Sequence, residues 1–155
     1  MRKILFVLAV LVLAVACQPN DPVRDALEQY AKEHMENPPS YKFSYMSMRH
    51  DFTYMEDLIR YRVGIEGLME KAADKAIYEA ELDKIDDLLM EVGREVACFD
   101  QTLYYWFTPE GSSAKFEKFV IGRFTPDGEV IELTTDPDSL PAYPALQMLK
   151  DQGRL

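Results

Sequence analysis

The sequence predicts an α+β fold: an antiparallel sheet of about four strands packed against an N-terminal helix and a long helical hairpin, in the order αβααβββα. Two observations carry this. Stretches with apolar residues three and four apart are segregated from stretches that alternate, so helices and strands do not interleave as in a parallel α/β protein. The last two strands are joined by Thr125-Pro126-Asp127-Gly128, a hairpin turn in which Pro presets φ and Gly accepts a positive φ. The 155 residues are 48% apolar and 28% charged, which fits one globular domain and excludes disordered and collagen-like chains. With only two cysteines, a disulfide scaffold is excluded as well.

Each element has its own local reason. Asp21-Pro22 opens the first helix, with a carboxylate for the free N–H groups and Pro at the first helical position. Val23, Ala26, Leu27, Tyr30, Ala31 and Met35 form one stripe, so this helix runs from about Pro22 to Glu36, and Asn37-Pro38-Pro39 ends it. From Ser40 to Tyr54 the chain alternates as a strand. The apolar set shifts from Tyr41, Phe43 and Tyr45 to Met46, Met48, Phe52 and Tyr54, which predicts a β-bulge near Tyr45–Met46. Glu56 to Gly93 keeps a helical period for longer than a globular helix runs, so it predicts an antiparallel pair with its turn near Asp74–Glu81. Strands follow at Val96–Phe107, Phe116–Thr125 and Glu129–Thr134, and Pro144 opens a short final helix through Leu149. The expected core is Leu27, Tyr30, Phe43, Leu58, Leu68, Leu89, Leu103, Phe119, Ile121 and Ile131.

The first residues read as an export signal, not as part of this domain. Met1-Arg2-Lys3 is basic, and Ile4 to Ala16 are thirteen apolar residues, too few for the roughly 20 of a spanning helix. Ala14-Val15-Ala16-Cys17 resembles a bacterial lipobox, in which the Cys is acylated and becomes the first mature residue; the usual Leu position holds Ala14, with Leu13 one place earlier. The expected organisation is a signal peptide at 1–16, a lipidated tether at 17–20 and a single domain at 21–155. The partner this implies is a membrane, reached through the N-terminal lipid anchor. Several acyl chains hold a protein firmly where one alone binds marginally.

Cleavage would remove Arg2 and Lys3 and take the formal net charge from −10 to −12. That sign argues against nucleic acid, whose affinity comes from Lys and Arg on phosphates, and against the domain lying flat on an anionic bilayer.

The mature chain also resembles a family of small lipoproteins from Bacteroidetes. The likeness rests on Asn37-Pro38-Pro39-Ser40-Tyr41-Lys42-Phe43, on Phe52-Thr53-Tyr54 followed by Asp57-Leu58-Ile59-Arg60-Tyr61-Arg62, and on Phe124–Ile131 with Thr135-Asp136. It closes with Leu140-Pro141-Ala142-Tyr143, where Ala142 replaces a Gly. The loop Pro109–Lys115 departs from the family pattern. The resemblance implies a Gram-negative envelope lipoprotein, by family habit in the outer membrane, and carries over no catalytic residue.

Few residue sets could carry chemistry. Cys98 would need His34 or His50 beside it to act as a nucleophile, and a strand Cys is more often a small apolar residue. Asp83, Asp87, Glu91 and Glu95, like Glu66, Glu70 and Asp74, recur every four residues; no wrapping Asp-x-Asp-x-Asp-Gly loop accompanies them, so they read as solvated helix faces and no metal is expected. Phosphate loops and metalloprotease or hydrolase motifs do not occur, and no cofactor is expected. Tyr104-Tyr105-Trp106-Phe107 must divide between the two faces of a strand, which makes these four a candidate interaction surface for an envelope protein or a glycan, unless helices cover both faces. The expected function is therefore a non-enzymatic binding module. The alternative is a carboxylate-dependent hydrolase of envelope glycan, with Asp100 paired to Glu117 or Glu132 across about 5–10 Å.

Overall fold

The computed structural model describes residues 21–155, so the predicted signal, Cys17 and the tether lie outside the described residues. The domain is α+β, as the sequence predicts, with α1 at Pro22–His34, α2 at Tyr54–Met69, α3 at Ala76–Val92 and α4 at Pro144–Asp151. The strands are β1 (Lys42–Met46), β2 (His50–Thr53), β3 (Val96–Phe107), β4 (Phe116–Phe124) and β5 (Val130–Thr134). Every pairing is antiparallel. β3 is the axis of the sheet: β4 runs along one side in unbroken register from Phe99↔Phe124 to Phe107↔Phe116, and β5 follows outside β4. β1 and β2 share the other side of β3, end to end, so five strands make a sheet four positions wide.

The predicted Ser40–Tyr54 strand is thus two strands. The register slips by one residue between Phe43 and Tyr45, close to the predicted bulge, and the chain then breaks at Ser47–Arg49. Ser47 explains the break: its hydroxyl accepts the N–H of Thr102 at 2.9 Å, and its carbonyl accepts the side-chain amide of Gln101 at 3.0 Å. Side chains here replace ladder bonds, keeping buried backbone groups paired while the strand ends.

Asp21 caps α1 by accepting from the N–H groups of Val23 (3.2 Å) and Arg24 (3.3 Å). Val23, Leu27, Ala31 and Met35 then lie buried on the sheet face formed by Phe99, Leu103, Tyr105, Phe107, Val120 and Phe124. Full burial of a side chain of this size contributes about 1.5–3 kcal/mol, so this stripe fixes the side of the sheet on which α1 docks. The β4–β5 hairpin turns where predicted, with Gly128 at φ 89° and its N–H donating to the Thr125 carbonyl at 2.9 Å.

The helical pair turns earlier than expected, over residues 70–75 in place of Asp74–Glu81, because the Asp74 carboxylate accepts the N–H of Ala76 and starts α3 there. The pair does not spread over the sheet. Tyr54, Leu58, Ile65, Ile85, Leu88 and Val92 form a second core with Ala145 and Leu149 of α4, which meets the sheet at Ala97. Arg62 ties the two helices together through Asp86 at 2.9 Å. Three expected core residues are exposed: Phe43 and Ile131 lie on the edge strands β1 and β5, and Leu68 lies near the far end of α2.

Candidate functional site

The two faces of the sheet have different fates. α1 covers the face that carries Tyr105 and Phe107, which are 3% and 5% exposed. This corrects half of the expected aromatic surface: these two rings are core, since odd positions of β3 point under α1. Tyr104 and Trp106 point to the opposite face, where Trp106 is 40% exposed.

That opposite face is closed at one end only. Arg123 on β4 stands opposite Asp100 on β3 and grips it with two hydrogen bonds, 2.8 and 2.9 Å. The same guanidinium donates to the Pro141 carbonyl at 3.0 Å and lies 5.0 Å from the Phe52 ring. The chain after β5 therefore seals this end, and α4 packs beyond it. Arg123 is 4% exposed, and removing one partner of such a pair costs about 3–5 kcal/mol.

At the other end no helix among the described residues lies over the strands. Tyr45 of β1 stacks on Tyr104 of β3 with ring centroids 4.4 Å apart and planes 11° apart, and Phe119 of β4 continues the row 6.0 Å from Tyr104. Trp106 lies one step along β3, between Lys42 and Glu117 in the register. Ser44, at the bulge, donates to Glu117 at 3.1 Å and spans the same region. β5 stops short of this end, leaving the Phe116–Val120 stretch of β4 unpaired on its outer side. A depression of about 470 Å³ opens along this edge of β4, lined from the α1 side by His34, Tyr105 and Lys118 and from the other by Glu117 and Phe119. The sequence did not point to Tyr45 and Phe119, since only the strand register puts them beside Tyr104. The signal for choosing between the alternate aromatics was present: Asp100 and Thr102 share parity with Tyr104 and Trp106 and mark the less buried face.

Of the acids proposed for glycan chemistry, Glu117 is out of reach: it lies six residues along β4 from Arg123, about 20 Å away at strand rise. Glu132 stands opposite Arg123 on β5, two strand spacings or about 10 Å from Asp100, at the outer limit of the expected range. Both oxygens of Asp100 are held by Arg123. Cys98 is fully buried, and burial pushes its thiol up to about 11, far from the thiolate a nucleophile needs. His34 stacks on Tyr30 in α1, and His50 packs edge-on against Phe52; neither bonds to Cys98 among the described residues. Among the described residues no three His, Cys, Asp or Glu side chains converge as metal ligands do, and no helix is long and apolar enough to cross a membrane.

Comparison with family models, curated proteins and solved structures finds no match to this chain.

Proposed function

We propose that the chain is an envelope lipoprotein, held at a membrane by an acylated Cys17, whose domain is a non-enzymatic binding module. The observation that carries the binding role is the open aromatic row, Tyr45–Tyr104–Phe119 with Trp106 beside it, on a sheet face whose other end is sealed. Apolar rings left in water are retained at a cost unless something covers them, and Tyr and Trp are the residues that anchor protein interfaces. Stacking of Tyr45 on Tyr104 occupies one face of each ring. An envelope protein and a glycan both fit such a row. A hydrolase has less support, because Asp100 is committed to Arg123.

Trp106 is the only tryptophan, so its fluorescence reports on this face directly. The domain, mixed with fractions of envelope extract, should show a blue-shifted Trp106 emission in the fractions it also captures by pulldown. Trp106→Ala and Tyr45→Ala should lose capture at least tenfold and keep the wild-type melting temperature within a few degrees. Capture that survives both substitutions would move the interface elsewhere. The anchor is tested separately: Cys17→Ala should shift the protein from the detergent phase to the aqueous phase on phase partition. A variant that stays with detergent would refute the lipidation.

A further inference from the structure

A second surface, apart from the aromatic row, has the form of a small-molecule site. A groove of about 260 Å³ runs between α2 and α4, lined by Arg60, Gly64, Ile65, Leu68, Tyr143 and Leu146. From Asp57 at one end to Leu68 at the other it follows α2 for about 16 Å at helical rise, so it is elongated. Its ends differ. Leu68 and Ile65 make one end aliphatic. The other end carries the guanidinium of Arg60, exposed, 5.8 Å from the Tyr143 ring and in no ion pair among the described residues. Tyr61 also lines the groove; its ring lies 5.3 Å from Lys150 and its hydroxyl donates to Glu81 at 3.1 Å. Asp57 lines the same end: its Oδ2 accepts the N–H groups of Ala145 at 2.9 Å and Leu146 at 3.1 Å, and its carboxyl feels the charge of Arg60.

Gly64 supplies the second observation. It sits in the middle of α2, where Gly weakens a helix, yet its φ is not positive and a Cβ there would meet no atom within 4 Å. The same is true of Gly67, outside the groove; what sets Gly64 apart is that it lines the groove. The space it leaves opens into the groove.

We infer that this groove binds a medium-chain aliphatic carboxylate, with its head at Arg60 and its tail along Gly64, Ile65 and Leu68. A guanidinium recognises a carboxylate in bidentate fashion, and an elongated aliphatic groove accepts a linear tail better than a ring. Decanoate, kept below its micelle concentration, is the probe, titrated by calorimetry and by shifts of backbone amide signals. Wild type should bind one equivalent saturably, with the largest shifts at residues 60–68. Gly64→Leu should abolish binding while the melting temperature holds or rises. Arg60→Gln, an exposed change, should weaken decanoate at least tenfold and leave decanol binding unchanged. Trp106→Ala should bind decanoate as wild type does, which separates this site from the aromatic row. Absence of saturable binding by wild type, or equal binding by wild type and Arg60→Gln, would overturn the inference.

Discussion

Asp100 and Asp57 are met by different kinds of partner. Asp100 meets a full guanidinium in bidentate geometry, the strongest form of ion pair a carboxylate can make. Asp57 meets only two backbone N–H groups, at the start of α4, while being 5% exposed. Burial raises its pKa above the ordinary carboxylate value, against the lowering effect of the N–H groups of Leu146 and Ala145 and the charge of Arg60. The consequence for stability has a definite sign. An acid whose pKa is higher in the folded state keeps its proton longer there than in the unfolded chain. Its contribution is therefore fully present below the unfolded value near 3.8 and is lost as pH rises through the raised folded value. Asn at this position still offers an oxygen to Ala145 and Leu146 but does not titrate. Urea denaturation of wild type and Asp57→Asn from pH 3 to pH 7 should show the variant gaining on wild type as pH rises through that window. A constant difference would show that Asp57 titrates alike in both states.

At the scale of elements, what was legible in the sequence was whatever is decided by neighbours in the chain. Asp21-Pro22 starts α1, Thr125–Gly128 turns the last hairpin, and the β3 limits match because Gly93 and Pro109 bracket a run of β-branched and aromatic residues. What was not legible depends on groups distant in the chain. The end of β1 is made by Ser47 binding Thr102 and Gln101, more than fifty positions away, and no period encodes that. The start of α3 rests on one Asp74 side chain in a stretch without Gly or Pro. The candidate site divides in the same way. That Tyr104 and Trp106 part from Tyr105 and Phe107 follows from strand geometry alone. Asp100 and Thr102 mark in the sequence which pair is less buried, and the docking of α1 enforces it, while the presence of Tyr45 and Phe119 follows from register. The groove at Arg60 was invisible for the same reason, because α2 and α4 lie more than seventy positions apart and are brought together by Asp57.

The whole molecule has two cores and one joint. Between α1 and the sheet lies a core with Leu27, Leu103, Val120 and Phe124 at zero exposure, crossed by the continuous β3–β4 ladder. The second core lies among α2, α3 and α4 and meets the sheet at Ala97 of β3 and along β2. Its fully buried members are Leu58, Ile85, Ala145 and Leu149. Farther out, Val63, Leu68 and Ile77 are all more than half exposed and the turn at 70–75 has little to bury. Opening of a segment costs in proportion to the apolar contact and shielded hydrogen bonding it loses. The outer hairpin loses little, and neither the α1 core nor the ladder needs it. Native-state hydrogen exchange should therefore divide the molecule. Amides of Leu103, Tyr105, Val120 and Gly122 should exchange only through global unfolding, with the full denaturant dependence. Amides from Gly67 to Tyr78 should exchange through a smaller opening, at lower free energy and with a shallower dependence. Decanoate held in the α2–α4 groove should raise protection at Gly67 and leave Tyr78 closer to its unliganded value, because the groove lies on α2 and α4 and not on α3. One common opening free energy for both sets of amides would mean that the joint at Ala97 couples the cores into a single cooperative unit, and the division proposed here would fall.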